Sequence, residues 1–385
     1  MTELPSKLRE KLMAREREGN LRSLSPAAEG VDFYSNDYLG FAREDPAVYQ
    51  EGSKRRGSGG SRLISGNHPL YDSLEQRLCT VHRSEAALVF NSGYDANIGL
   101  LSAVPQRTDY VFYDQSVHAS IRDGLALGRA RTFSFAHNSL QGLEERVGKV
   151  LPDGVPRGAE AYVVTESVFS MEGDSPDLKA LAAYCAGRGF RLLVDEAHAA
   201  GIIGPKGEGV IAESGLEGAV FARIVTFGKA LGRHGAAILC RPDLREYLVN
   251  FSRSLIYTTA LPPDTLEGIL QAYDTLTGAG GDERRARLRS NIACFREKAA
   301  DFGLAGGFHQ GGAAIQTFRV GDTARAGELG RKINAAGFLV KPILYPTVPR
   351  GMECLRICLH SFNTDDEIQG VLSILSREYQ PGADE

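Results

Sequence analysis

Between residues 44 and 263, short apolar runs alternate with amphipathic stretches. The runs are Ala86–Phe90, Tyr110–Tyr113, Ala161–Thr165, Arg191–Val194, Arg223–Thr226 and Ala236–Cys240. Bounded runs of this length, without polar alternation, read as strands covered on both faces. Strands of that kind separated by helices predict an α/β fold around a mostly parallel sheet. Leu70, Leu74, Leu78 and Val81 recur at helical spacing behind Pro69, which suits a first turn, and mark a buried stripe.

The two ends read differently. Leu4, Leu8 and Leu12 share one face of an N-terminal helix, followed by an extended arm through VDFYSNDYLG (31–40). Leu261-Pro262-Pro263 is a natural break. A charged helix through Asp282–Arg289 follows, and its arginines read as a solvated face rather than an anion site. Beyond it, Ala314–Val320 and Phe338–Leu344 are expected strands. Leu355, Ile357 and Leu359 alternate along a third, which turns Arg356 to the opposite side. Thr364 and Glu367 have capping-box spacing before a helix with Ile368, Leu372 and Leu375 on its apolar face. The predicted division is an N-terminal helix and arm (1–43), a large domain (44–263) and a small α/β domain (264–385).

Composition narrows the class. The 385 residues are 43% hydrophobic and 24% charged, with a net charge of −4, which fits a globular protein and gives no basic surface for nucleic acid or membrane. The six cysteines form no CxxC pair and no zinc-type cluster with histidine, so free thiols in a reducing compartment and no metal site are expected. The N-terminus has no signal-peptide core, and its glutamates argue against a mitochondrial transit peptide. No run approaches the roughly eighteen apolar residues of a membrane span, so a cytoplasmic protein is expected.

Several segments carry candidate chemistry. In VTFGKALG (225–232), Lys229 sits in a Gly-flanked turn at a strand end, where open α/β sheets place ligands. A lysine there is either a solvated charge or an amine that captures an aldehyde cofactor. In LLVDEAHAAG (192–201), an apolar strand runs into Asp195, Glu196 and His198. A buried aspartate needs a cationic partner, and a protonated pyridine nitrogen is one. The string DEAH also occurs in nucleotide-driven helicases, but the accompanying GxxxxGK[ST] loop is missing here. In ALVFNSGYDAN (87–97), a strand meets Asn91-Ser92-Gly93 and a helix begins, which suits a phosphate or an ordinary turn equally.

Three further positions join these. His118 in DQSVHAS (114–120) is either a satisfied core histidine or a ring that stacks on a pyridine. Glu166 and Ser170 in TESVFSMEGD (165–174) either line the same crevice or cap a loop. Arg356 has a planar fork for a carboxylate, with a surface salt bridge as the alternative. The run Lys54, Arg55 and Arg56 reads as a charged helix end rather than a phosphate contact.

Together and in this order, the segments resemble the α-oxoamine synthases, a branch of the fold-type I pyridoxal-phosphate (PLP) transferases. The resemblance runs from SNDYLG (35–40) to LRI (355–357) and includes GSGGSRLISGNHPL (57–70), LIYTTALPP (255–263), AAIQTFRVGD (313–322) and PTVPRG (346–351). It implies pyridoxal 5'-phosphate as cofactor, and an amino acid and an acyl thioester (acyl-CoA or acyl-carrier protein) as substrates. The segments lean toward members that join L-alanine to a pimeloyl thioester with loss of carbon dioxide. Sister activities on glycine or serine, and a non-catalytic partner subunit of the same fold, are the alternatives.

The resemblance also implies roles. Lys229 would form the Schiff base and move the Cα proton, Asp195 would pair with the ring nitrogen, His118 would stack on the ring, and His198 would bond the ring oxygen. Ser92, Gly93, Tyr94 and Thr226 would hold the phosphate, and Glu166 would be a further cofactor-binding residue. Thr259 would reach the phosphate of a neighbouring subunit, which implies a homodimer. Asn36, Ser170, Thr347 and Arg356 would hold the amino acid or product. Tyr71 and Tyr94 replace residues more usual in the family, and the N-terminal arm is short.

Overall fold

A computed structural model of the chain describes residues 3–22, 24, 29–43 and 57–379. The basic run Lys54, Arg55 and Arg56 lies outside the described residues. In chain order the elements begin with α1 (Ser6–Arg17), β1 (Val31–Asp32), α2 (Leu70–His82), β2 (Ala86–Phe90), α3 (Gly93–Ala103), β3 (Tyr110–Asp114), α4 (Ala119–Leu127) and β4 (Arg131–Phe135). Next come α5 (Leu140–Val150), β5 (Ala161–Glu166), α6 (Leu178–Arg188), β6 (Arg191–Asp195), α7 (Val210–Glu213), β7 (Ala222–Thr226) and β8 (Ala236–Cys240). Then follow α8 (Pro242–Phe251), α9 (Arg253–Ile256), α10 (Pro263–Thr277), α11 (Ala279–Asp301), β9 (Ile315–Arg319) and α12 (Thr323–Ala335). The last are β10 (Phe338–Leu339), β11 (Lys341–Ile343), β12 (Cys354–Cys358) and α13 (Asp365–Glu378).

The chain forms two compact units. The large one holds Asn36–Ser170 and Asp174–Arg287. The small one holds Met1–Ser35, Met171–Gly173 and Leu288–Glu385. The division thus falls inside α11, whereas the sequence suggested a boundary after residue 263. The reason lies in α10: its apolar face buries Leu266, Ile269, Tyr273 and Leu276 within the large unit. There the Tyr273 hydroxyl also meets His82 Nε2 at 2.8 Å.

In the large unit the strands form one sheet in the order β2-β8-β7-β6-β5-β3-β4. β8 runs antiparallel to both β2 and β7, and the remaining neighbours pair in parallel. The other six strands therefore end on the same edge. Alternate side chains feed two apolar layers. One contains Leu88, Val111, Tyr162, Leu193, Ile224 and Ile238; the other contains Phe112, Val163, Leu192 and Val194 with Leu143, Val147 and Leu181 from the helices. Each fully buried Leu, Val or Phe contributes at most about 1.5–3 kcal/mol, so the double cover fixes this sheet more than any single bond does.

The expected strands all form here, Ala86–Phe90 and Ala236–Cys240 with the same bounds. The sequence pattern missed β4, an edge strand whose Arg131 and Thr132 are exposed. Arg285 corrects the expected solvated face of α11. It is 1% exposed and donates to the carbonyls of Leu276 and Pro205 and to the Asp282 carboxylate.

The small unit is built on an antiparallel sheet in the order β11-β12-β9. Every residue of central β12 is buried, Arg356 included. The expected strand Phe338–Leu344 divides in two. β10 pairs in parallel with β1, while β11 pairs with β12. The break falls at Val340, whose N–H donates to the Asn334 side chain at 2.8 Å instead of to a strand. The capping box of α13 forms: Thr364 Oγ accepts from Glu367 N–H and the Glu367 carboxylate accepts from Thr364 N–H. Among the described residues, no helix is long and apolar enough to cross a membrane.

Candidate active site

The shared edge of the large sheet collects polar residues. β5 ends at Glu166, β6 at Asp195 and β7 at Thr226, while Asn91 follows β2 and Asp114 ends β3. Outside carboxyl strand ends, backbone groups and helix N-termini face a common crevice, so this edge is where an open α/β sheet binds ligand.

Two bonded chains of side chains run along it. In the first, Lys229 Nζ lies 2.7 Å from His198 Nε2, and His198 Nδ1 lies 2.7 Å from the Tyr38 hydroxyl. That hydroxyl donates to Asn36 Oδ1 at 3.1 Å. The turn after β7 delivers Lys229 because Gly232, at φ +59, admits a left-handed bend that a side chain would resist. His198 is 4% exposed, so its polar atoms depend on these partners.

In the second chain, Asp195 Oδ2 accepts from Asn97 Nδ2 at 2.8 Å and Oδ1 accepts from the Ala197 N–H at 2.9 Å. Asn97 Nδ2 also reaches Ser120 Oγ at 3.0 Å, and Ser120 Oγ lies 2.8 Å from His118 Nδ1. The His118 backbone N–H donates to Glu166 Oε1 at 2.6 Å, which holds the start of α4. Desolvation pushes the His118 pKa below the usual histidine value; Asp195 opposes this, Lys229 adds to it and Asp123 opposes it. Both Asp195 and Lys229 thus act on one imidazole, and its burial favours the uncharged ring.

A third group surrounds the start of α3. Ser92 caps it, accepting from the Asp95 N–H at 3.0 Å. The first helical N–H groups, Gly93 and Tyr94, precede the helix's own ladder and point off its positive end. A Cβ added at Gly93 would meet nothing nearer than Thr226, at 3.8 Å, so the missing side chain leaves space beside that threonine. Thr226 Oγ1 donates to the Gly235 carbonyl at 3.2 Å. The Tyr94 hydroxyl donates to Asp123 on α4. Thr259 presents an exposed side chain, while its carbonyl accepts from Asn91 Nδ2 at 2.7 Å.

The large unit thereby links Asn36, His198 and Lys229 in one bonded chain and Asp195, His118 and Glu166 in another, with Ser92, Gly93 and Thr226 at one helix end. Ser170 is half-buried in the same unit, in the loop after β5. The remaining two expected residues belong to the small unit. Arg356 is 6% exposed in central β12, opposite Lys341 and Thr317. Thr347 is exposed, and its hydroxyl accepts from Arg22 at 3.3 Å.

Sequence reasoning missed Tyr38, Asn97, Ser120 and His137. The first three lay inside quoted segments, but an ordinary polar residue carries no mark of its partner. His137 follows β4 and touches Asp114 at 2.9 Å and Asp174 at 3.1 Å. Burial disfavours its charge, yet the two carboxylates override that and raise its pKa to about 10.

Residues 28–375 match the family model of the class I and II aminotransferases, and the chain belongs to that family. Curated 8-amino-7-oxononanoate synthases are similar over nearly its whole length. The protein from Emericella nidulans is 36% identical over 399 residues, covering 97% of this chain and 95% of that one. The protein from Marinobacter nauticus is 38% identical over 352 residues, covering 90% and 86%. Among solved structures, a serine palmitoyltransferase (SPT) with PLP matches with a TM-score of 0.86 at 27% identity, covering 97% of this chain and 96% of that one. An 8-amino-7-oxononanoate synthase from Francisella tularensis matches at 0.75 and 29% identity, covering 91% and 97%. The fold-type I transferase architecture expected from the sequence is therefore the fold of the chain.

Proposed function

We propose that this chain is a PLP-dependent acyltransferase that condenses L-alanine with a pimeloyl thioester. The products are 8-amino-7-oxononanoate, carbon dioxide and free thiol. The observation that carries the reading is that Asp195 and the turn bearing Lys229 stand at the ends of neighbouring parallel strands. The name of the curated relatives, 8-amino-7-oxononanoate synthase, supports this product.

The residues present fit pyridoxal phosphate. Lys229 offers an amine, Asp195 a carboxylate that accepts from two N–H donors, and the Ser92-Gly93 turn an anion site beside Thr226. When bound, the cofactor supplies an aldehyde for amine capture and a protonated ring that accepts the electron pair released at the amino acid's α-carbon. Asp195 would keep that ring protonated, His118 would pack against it, and His198 would bond its oxygen. Ser92, the N–H groups of Gly93 and Tyr94, and Thr226 hold the phosphate. Glu166 anchors the turn that carries His118. Lys229 Nζ takes the α-proton of alanine and returns one after carbon dioxide has left. Asn36 and Ser170 are the large unit's proposed contacts to amino acid or product, and Arg356 and Thr347 those of the small unit. Thr259 serves the phosphate of a second subunit, so the working protein is a homodimer.

The test is spectroscopic and kinetic. Purified protein should absorb as a PLP enzyme, and Lys229→Ala should lose both that absorbance and turnover. Thiol release should be fastest with alanine and pimeloyl-CoA in a panel that includes glycine, serine and other acyl-CoAs. Normal turnover of Lys229→Ala would end the proposal. Faster release with serine and a long acyl-CoA would favour the sister activity, which the higher TM-score to SPT also favours.

A further inference from the structure

Asn97 lies one turn inside α3 and is 2% exposed. Its amide nitrogen carries two hydrogens, and both have acceptors: Asp195 Oδ2 at 2.8 Å and Ser120 Oγ at 3.0 Å. Its Oδ1 has no hydrogen-bond partner among the described residues, so nothing there pulls the amide the other way. A flipped amide would set that oxygen against the Asp195 carboxylate, which fixes the assignment by repulsion. Because Ser120 Oγ accepts from Asn97, its own proton points elsewhere. His118 Nδ1 stands 2.8 Å away to receive it, and the Ser120 N–H aims at the same nitrogen from 3.2 Å. With two donors directed at Nδ1, the proton of the neutral ring sits on Nε2.

We propose that Asn97 and Ser120 are positioning residues that couple, through one amide, the Asp195 carboxylate to a His118 protonated at Nε2. The roles of Asp195 and His118 toward PLP rest on the function proposed above; the hydrogen-bond relay does not. Through this coupling the carboxylate proposed for the ring nitrogen is held in place, and the imidazole proposed for the ring face keeps one tautomer. The charged groups acting on His118 are Asp195, Lys229 and Asp123, and Glu166 holds its backbone N–H.

The test uses the full-length chain labelled with 15N in its histidine rings, with and without PLP. The His118 signals are those lost in His118→Gln. Wild type should show a neutral His118 with its proton on Nε2. Ser120→Ala removes the hydroxyl donor to Nδ1, so His118 should take up its second proton at higher pH, and Ser120→Thr should restore the wild-type curve. Asn97→Leu should weaken PLP binding at least tenfold, about 1.4 kcal/mol, while Ser120→Ala should change it far less. A wild-type proton on Nδ1, or an unchanged His118 titration in Ser120→Ala, would overturn the relay. Should Asn97→Leu not fold, the Ser120 variants decide alone. A wild-type chain that never binds PLP refutes the proposed function, while the same titrations still judge the relay.

Discussion

Asp195 is 5% exposed, and a carboxylate that deep is tolerable because the Asn97 and Ala197 N–H groups stabilise its charge. Asp195→Asn keeps the shape and removes that charge. Turnover should fall on the order of 10²-fold with part of the cofactor still bound, the scale for deleting one preorganised charge-stabilising group. A wild-type rate in that variant would remove Asp195 from the chemistry. Arg356 is the residue proposed to hold the amino acid's carboxylate. Arg356→Ala should raise the KM for alanine about 10- to 100-fold, as loss of a charged hydrogen bond does, with a smaller effect on kcat. An unchanged KM in alanine saturation curves would assign the carboxylate elsewhere. At this scale the sequence exposed residues that end apolar strands, Lys229 and Asp195 among them. It concealed Asn97, Ser120 and Tyr38, because their partners come from other elements and strand order alone decides which elements are neighbours. Arg285 was misread for the same reason: its charge looked solvated until the fold wrapped three acceptors around it.

Elements were legible where burial is symmetric. β2 and β8 are covered on both faces, and their apolar runs coincide with the strands observed. β4 carries Arg131 and Thr132 into solvent at the sheet edge, so its sequence, RTFSF, lacks the signal that marks the others. Phe338–Leu344 reads as one strand because the single capping bond from Val340 to Asn334 leaves no trace in hydrophobicity. At the β3 and β4 ends, His137 ties two loops through Asp114 and Asp174. Its folded pKa, about 10, lies above the ordinary histidine value of 6.5. The stabilisation it brings is therefore complete below pH 6.5 and lost as pH rises through 10. His137→Gln should lower the unfolding free energy by about 2 kcal/mol at pH 6, and the difference should shrink toward pH 10. Urea titrations of both proteins across that range check it; a penalty independent of pH would mean that charge is irrelevant at this site.

For the whole molecule, the exposed surface bears on assembly. Thr259 is exposed, neighbouring Tyr257 is 72% exposed and Ile64 is 85% exposed. Such apolar exposure is the kind that a second copy of the chain covers. If Thr259 serves the partner's phosphate, Lys229→Ala mixed with an inactive Thr259→Tyr should recover activity. Random exchange places both substitutions in one site of each hybrid dimer and leaves the other intact, so about a quarter of wild-type activity returns. Sedimentation should show a dimer throughout. A monomer with full activity, or no recovery on mixing demonstrably exchanged subunits, would rule out a shared site.

The order of apolar runs and helices determined the α/β class, and the motifs along it determined the family, because periodicity and local turn chemistry are properties of adjacent residues. The tertiary structure decided the rest. Strand order set Asp195, Asn97, Ser120 and His118 in one bonded line, and buried Arg285 and Arg356. It also placed the division between units within α11. Each of these depends on which distant segments become neighbours, and a linear pattern of hydrophobicity does not encode that.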